Sequence, residues 1–338
     1  MFLSIRMKVS ILAVPVVLAL TVFPAATSAK SSAKPIKFDY LALGDSLAAG
    51  VTPYNEIGDG YTDFLAEKIE ELGYLGSYTN RFSIPGYTTE DVLEDIKDDV
   101  EKDGKSIQDM IDDAELITLD AGANDLLKQI KVSDTGVSLD PAKVPVVLEQ
   151  VKKNTSAILR EIKKQNSRAK VYVMGYYNSF PYIPKEQQEQ LIPILDMLNN
   201  VIADEAKRAR AKFVPTADAI DEDFRTYLPN PQNIHLSEAG YQVVADEFWK
   251  EMKQEFSYRL TTDDRFIYMT KGQEQTLKLV IVYPSKKEID VQKLAEWSSS
   301  NEDIVSVDEG VITAHKKGYA VITAKYEGQR IKISVRVN

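Results

Sequence analysis

Ser46 lies in the stretch Leu43-Gly44-Asp45-Ser46-Leu47-Ala48-Ala49-Gly50, directly after a short apolar run. A serine at a strand-to-helix turn presents its hydroxyl at a sheet edge, above backbone N–H groups that favour a developing anion. Gly-Asp-Ser is equally an ordinary turn and helix-capping sequence, so this stretch alone decides little. Ala48 takes the last place of a Gly-x-Ser-x-Gly elbow, which speaks against the α/β-hydrolase arrangement. A second stretch, Ser83-Ile84-Pro85-Gly86-Tyr87-Thr88-Thr89, offers Gly86, where a backbone amide can approach a ligand closely. Glycine after proline is also a plain turn. A third, Leu119-Asp120-Ala121-Gly122-Ala123-Asn124-Asp125, offers the Asn124 side-chain amide as a donor to an oxyanion. Its ordinary reading is a loop that caps the following helix.

A nucleophilic serine needs a base, most simply an imidazole. The chain has two histidines. His315 stands beside Lys316 and Lys317 in a region patterned as strands, whereas His235 lies in Pro231-Gln232-Asn233-Ile234-His235-Leu236-Ser237, just ahead of an amphipathic stretch. Elimination therefore makes His235 the base, if a base exists.

Composition narrows the alternatives. There is no cysteine, hence no disulfide framework, thiolate nucleophile, zinc finger or iron–sulfur site. Two histidines make a His-rich metal centre improbable, and no metal or organic cofactor is called for. The net charge of −10 argues against a nucleic-acid binder, which would cluster Lys and Arg on one face. With 44% hydrophobic and 27% charged residues over 338 positions, the chain is expected to form about two folded domains.

Three segments can be separated. Residues 1–29 place Arg6 and Lys8 before an apolar run from Val9 to Phe23 and end on small residues at Ala25 to Ala29, the order of a secretory signal peptide. Export to an extracytoplasmic, secreted or surface location is the expectation. Residues 36–258 alternate short apolar runs (Phe38 to Leu43, Leu116 to Leu119, Val171 to Met174) with amphipathic stretches. The clearest of these run from Val144 to Ile162 and from Tyr241 to Met252. Strand then helix, repeated, predicts a three-layer α/β/α domain with a parallel sheet, whose sites form at the carboxyl ends of the strands. From residue 262 to 338 the period changes to two: Ile331, Ile333, Val335 and Val337 alternate with Lys332, Ser334 and Arg336. Glu309-Gly310, Lys317-Gly318 and Glu327-Gly328 supply turns, which predicts a small all-β sandwich, with Arg259 to Asp264 as the linker. The acidity is confined to residues 30–260, which carry −13, while residues 261–338 carry +1.

Taken in order, the four stretches resemble the motif blocks of the SGNH, or GDSL, hydrolase (lipase/acylhydrolase) family over roughly residues 36 to 256. The resemblance implies a flavodoxin-like α/β/α domain, Ser46 as nucleophile, His235 as base, and an oxyanion hole from Ser46, Gly86 and Asn124. It also implies a carboxylic ester substrate. The family's usual Asp, three residues before its His, is Gln232 here, and Asn233 follows; neither carries a charge. Asp218, Asp221 or Asp223 folding against His235, a backbone carbonyl, or a slow Ser–His dyad would each repair the loss. The third member stays open. The stretch Ala295-Glu296-Trp297-Ser298-Ser299-Ser300-Asn301, together with Gly310-Val311-Ile312-Thr313-Ala314 and Gly318-Tyr319-Ala320-Val321-Ile322-Thr323-Ala324, resembles the bacterial Ig-like group 2 module, commonly a spacer or adhesive unit on exported proteins. The expectation is a secreted GDSL-type esterase or lipase acting on a lipid or an acetylated glycan, with cell-wall contact through the Ig-like module. The alternatives are a cell-wall glycan O-acetylesterase and a catalytically weakened surface binding or adhesion protein.

Overall fold

The computed structural model describes residues 37–133, 136–283, 286 and 288–338. The signal peptide expected over residues 1–29 lies outside them. Among the described residues no helix is long and apolar enough to cross a membrane.

Five strands form the central sheet: β1 (Phe38–Gly44), β2 (Leu75–Ser83), β3 (Leu116–Asp120), β4 (Lys170–Met174) and β5 (Lys212–Val214). All pairings are parallel, in the order β2-β1-β3-β4-β5. The three expected strands fall where the apolar runs placed them. Every residue of β3 is buried, as a strand covered on both faces requires. The chain leaves β1 toward β2 and returns to the other side of β1 as β3. Right-handed crossovers therefore put successive helices on opposite faces. One face carries α1 (Tyr61–Glu71) against the C-terminal helix Glu238–Met252, with the Tyr61 and Phe248 rings stacked at 4.7 Å. Elsewhere α2 (Thr89–Lys97) packs against the long helix Val144–Gln165, whose apolar side buries Val144, Leu148, Val151, Ile158 and Ile162. The order reverses between β1 and β3, and in open parallel sheets a crevice opens there at the carboxyl ends. Ser46 and Asn124 both follow that edge.

The C-terminal region is all β. One sheet orders β7 (Phe266–Met269), β15 (Gln329–Val337), β14 (Gly318–Tyr326) and β11 (Glu296–Ser299); a second orders β8 (Glu274–Thr276), β13 (Val311–Ala314) and β12 (Val305–Asp308). Ile267, Ile322, Ile333 and Val335 from the first sheet bury against Val305 and Ile312 from the second, which makes a sandwich. Ile333, Val335 and Val337 alternate as a strand with one face in this core, while Ile331 at its start joins the apolar cluster of the α/β part.

The expected linker is a correction. Arg259–Thr261 is strand β6, antiparallel to β9 (Val280–Val282), which pairs onward with β10 (Glu288–Asp290). Leu260 and Ile281 are buried in the same apolar cluster as Phe38 and Phe256 of the α/β part. The Phe38 ring lies 5.0 Å from Phe256 and 6.1 Å from Tyr283. The two regions share a packed seam, because the alternating pattern of residues 259–261 buries an apolar side chain that a solvated linker would leave in water.

Candidate active site

Ser46 follows β1 without entering a helix. Residues 46–50 form consecutive turns, tied by Ala49 N–H to Asp45 O at 3.2 Å and Val51 N–H to Ser46 O at 2.9 Å, and α1 begins only at Tyr61. The expected helix N-terminus beneath the serine is thus absent; a tight turn takes its place. Gly44, at the end of β1, pairs with Asp120 of β3, and a Cβ there would stand 2.3 Å from Asp120 Oδ1 and 2.6 Å from its carbonyl oxygen. Only glycine lets the strands meet while the Asp120 carboxyl passes beneath the turn. Asp120 Oδ2 accepts from the amides of Asp45 (3.3 Å) and Ala48 (3.2 Å), and Oδ1 accepts from the Tyr61 hydroxyl (2.8 Å). Asp45 Oδ1 accepts from Leu47 N–H at 2.9 Å, and Oδ2 from the Tyr176 hydroxyl at 3.2 Å.

Both carboxyls are fully buried side by side. Burial pushes Asp45 up to about 6, and burial together with the neighbouring Asp45 charge pushes Asp120 well above the usual carboxylate range. Side by side in a buried site, each carboxylate disfavours the ionisation of the other.

His235 comes to Ser46 from 189 residues away, with Nε2 at 2.8 Å from Ser46 Oγ. Three bonds tie its loop and the helix after it to the segment after Ser46: Asn230 Nδ2 to Pro53 O (2.8 Å), Asn233 Nδ2 to Asn55 Oδ1 (2.9 Å) and, from the helix, the Tyr241 hydroxyl to Val51 O (2.6 Å). Asn233 Oδ1 accepts both the His235 backbone N–H at 2.9 Å and the ring Nδ1 at 2.7 Å. A backbone N–H can only donate, so the atom it meets must be the amide oxygen, and Nδ1 must then carry the ring proton. That leaves the Nε2 lone pair facing the serine hydroxyl. Burial lowers the imidazole below its usual 6.5, which keeps it neutral near pH 7. Asn233 is thus the group that faces Nδ1 of His235. Both ring nitrogens are occupied, so the imidazole meets Asn233 and not Asp218, Asp221 or Asp223; Gln232 is exposed.

Asn124 sits in the first turn of the short helix Ala123–Leu127, whose N-cap is Gly122 with no side-chain cap, so it does not serve as a cap. Its Nδ2 donates to Tyr87 O at 2.9 Å and, more weakly, to Asp45 Oδ2 at 3.3 Å. The neighbouring Asp125 accepts from Thr89 N–H at 2.9 Å and Thr89 Oγ at 2.7 Å, clamping the Gly86 loop to this helix. Gly86 has φ +86°, a conformation that favours glycine, with open space on its Cβ side. Ser46, Asn124 and His235 line one small hollow with Asp45, Tyr176 and Tyr177; Gly86 adjoins through the Asn124–Tyr87 bond without lining it. The ring-facing role of Asn233 was not expected from the sequence, nor were Asp120, Tyr176 or the Asp125–Thr89 clamp. Only Asp120, an acid closing an otherwise apolar strand, leaves a local trace.

A profile described as the GDSL-like Lipase/Acylhydrolase family matches residues 42–243. The chain is 25% identical over 217 residues to the uncharacterized protein YpmR of Bacillus subtilis (strain 168), covering 63% of this chain and 81% of that protein. Among solved structures, the lipase Lip_vut3 from a goat rumen metagenome is similar with a TM-score of 0.52 at 21% identity, over 63% of this chain and 97% of the other. An acetylxylan esterase from Geobacillus stearothermophilus is similar with a TM-score of 0.48 at 18% identity, over 65% and 96%. The likeness to the rumen lipase bears on the fold alone.

Proposed function

Since the chain belongs to the GDSL-like lipase/acylhydrolase family and is a hydrolase of carboxylic esters, we propose that it works through an acyl-enzyme on Ser46. The observation that carries this is the 2.8 Å bond between Ser46 Oγ and a His235 Nε2 whose ring tautomer is set by Asn233. His235 Nε2 takes the serine proton as Oγ bonds to the ester carbonyl carbon. The carbonyl oxygen becomes an oxyanion, held by the backbone amides of Ser46 and Gly86 and by Asn124 Nδ2, which exchanges its long bond to Asp45 for the substrate. Collapse breaks the ester C–O bond, and the leaving alkoxide takes the proton back from Nε2. Water, deprotonated by the same nitrogen, then attacks the acyl-enzyme and releases the acid.

An amide in place of the triad acid costs about 10⁴ in a serine protease, chiefly through the wrong tautomer. Here the His235 backbone N–H holds Asn233 with its oxygen toward the ring, so the tautomer is right and only the carboxylate's stabilisation of the imidazolium is given up. Hydrolysis of activated short-chain esters by the wild type beside Ser46→Ala tests the reading. We expect the variant to lose turnover by at least about 10³-fold; an unchanged rate removes Ser46 as nucleophile. The missing charge favours one second reading, a weakened surface binding protein, for which ester turnover would equal that of buffer.

Export through residues 1–29 and wall contact through the C-terminal region belong to the same proposal. The second is supported by an outward row on the sandwich, where Tyr268, Arg336 and Tyr319 lie in register across three strands beside Phe266. Phe266 is 77% and Tyr268 70% exposed, an unusual display for large side chains.

A further inference from the structure

The partner of the catalytic histidine is an amide, and an amide has two unlike ends. Asn233 turns Oδ1 to His235 Nδ1 at 2.7 Å and Nδ2 to the opposite side. Turned over, the same side chain would donate Nδ2–H into Nδ1 and send the ring proton to Nε2. Nε2–H would still bond Ser46 Oγ, but as a donor, and could not take its proton. A carboxylate in this place carries no such hazard, because both of its oxygens accept. With asparagine there, both ends of the amide have to be held.

One end is held by the His235 backbone N–H, which donates to Oδ1 at 2.9 Å. The other is held from outside the loop, where Asn233 Nδ2 donates to Asn55 Oδ1 at 2.9 Å. Asn55 belongs to a turn between Val51 and Ile57, which pair as an antiparallel bridge. Thr52 N–H donates to Glu56 O at 2.8 Å and Asn55 N–H to Thr52 O at 3.0 Å, while Thr52 Oγ1 accepts from the amides of Tyr54 and Glu56. Asn55 has φ +61°, the left-handed conformation that closes such a turn and usually falls to glycine. Asparagine tolerates that conformation and, unlike glycine, brings a side-chain acceptor. The turn needs nothing from this acceptor, since its own backbone and Thr52 hold it together. Asn230 Nδ2, bonded to Pro53 O at 2.8 Å, keeps it beside the His235 loop independently. Asn55 is exposed and takes no part in lining the catalytic hollow.

We propose that Asn55 is a positioning residue for the catalytic base: it pins the Asn233 amide so that the oxygen stays on Nδ1 and Nε2 stays free to receive the Ser46 proton. The proposal rests on the acyl-enzyme reading above and adds what holds the partner of the histidine in place. Ser46, His235, Asn233 and Asn55 then form one run of hydrogen bonds from the nucleophile to the surface, whose last member acts through the two before it.

Because the chain has two histidines, the ring protons can be read directly. With heavy-nitrogen histidine in the full chain, at a pH where the rings are neutral, a long-range proton–nitrogen NMR spectrum distinguishes a protonated ring nitrogen from a bare one, and His315→Gln assigns the two rings. Wild type is expected to show His235 protonated on Nδ1 and bare on Nε2. Asn55→Gly suits the left-handed turn and removes only the acceptor. It is expected to bring in a share of the Nε2–H form and to lower kcat on an activated short-chain ester by about three- to tenfold, the range for one net hydrogen bond, with KM unchanged. Asn55→Asp can only accept, and is expected to restore both the spectrum and kcat. The signals of His315, bonded to Ser306 in the sandwich, report in Asn55→Gly and Asn55→Asp that the chain is folded. A wild-type spectrum or a wild-type kcat in Asn55→Gly, or an Asn55→Asp variant that loses as much as Asn55→Gly, overturns the role of Asn55 while the Ser46 mechanism stands. Turnover that survives Ser46→Ala overturns both.

Discussion

Asn233 gives the histidine direction without charge, and that separates two roles a triad acid ordinarily combines. Asn233→Ala leaves Nδ1–H without its partner in a half-buried site, a loss of about 1–3 kcal/mol. We expect kcat to fall about 10- to 100-fold, read from steady-state kinetics. Asn233→Asp restores the charge. In the wild type, burial holds the imidazole below 6.5, so the acidic limb of kcat/KM is centred below 6.5. A carboxylate on Nδ1 favours the protonated ring, so Asn233→Asp raises that pKa and moves the acidic limb upward. A limb that does not move means Asn233 does not face the ring in solution. At this scale the sequence was partly legible: Ser46, Asn124 and His235, singled out by type and order, come together around one hollow. Asn233 was passed over because an amide's fitness depends on which way it points, and that is decided by the His235 backbone N–H.

Strands and loops bring these side chains to one edge, and the tightest demand falls where β1 meets β3. Gly44→Ala drives a methyl into the Asp120 carboxyl and its backbone, neither of which can withdraw from a central sheet. We expect a loss of at least about 1–3 kcal/mol in a denaturant titration, with reduced activity because the Ser46 turn hangs on the same carboxyl. An unchanged midpoint would refute this close approach. The parallel sheet and its crossovers were readable from apolar runs and helical periods, since β3 and Val144–Gln165 bury the residues those patterns mark. Two local features were not. The turn after Ser46 looked like a helix start, and Arg259–Thr261 looked like a linker, because the partner strand Val280–Val282 lies some twenty residues onward and carries no signal at the site itself.

Across the whole chain, charge and exposed aromatic surface are segregated. Residues 30–260 carry −13, while residues 261–338 are near neutral and display Phe266, Tyr268 and Tyr319. Combining Phe266→Ala, Tyr268→Ala and Tyr319→Ala is expected to weaken co-sedimentation with cell-wall fractions by about tenfold or more while leaving ester turnover in place. Equal co-sedimentation would move attachment to another surface. The central claim, a Ser46 nucleophile armed by His235, is tested most directly by intact and peptide mass after exposure to a fluorophosphonate. The account predicts a single adduct on the Ser46 peptide, absent in Ser46→Ala and slowed in His235→Ala. An unmodified wild type, or an adduct on any other residue, would contradict it.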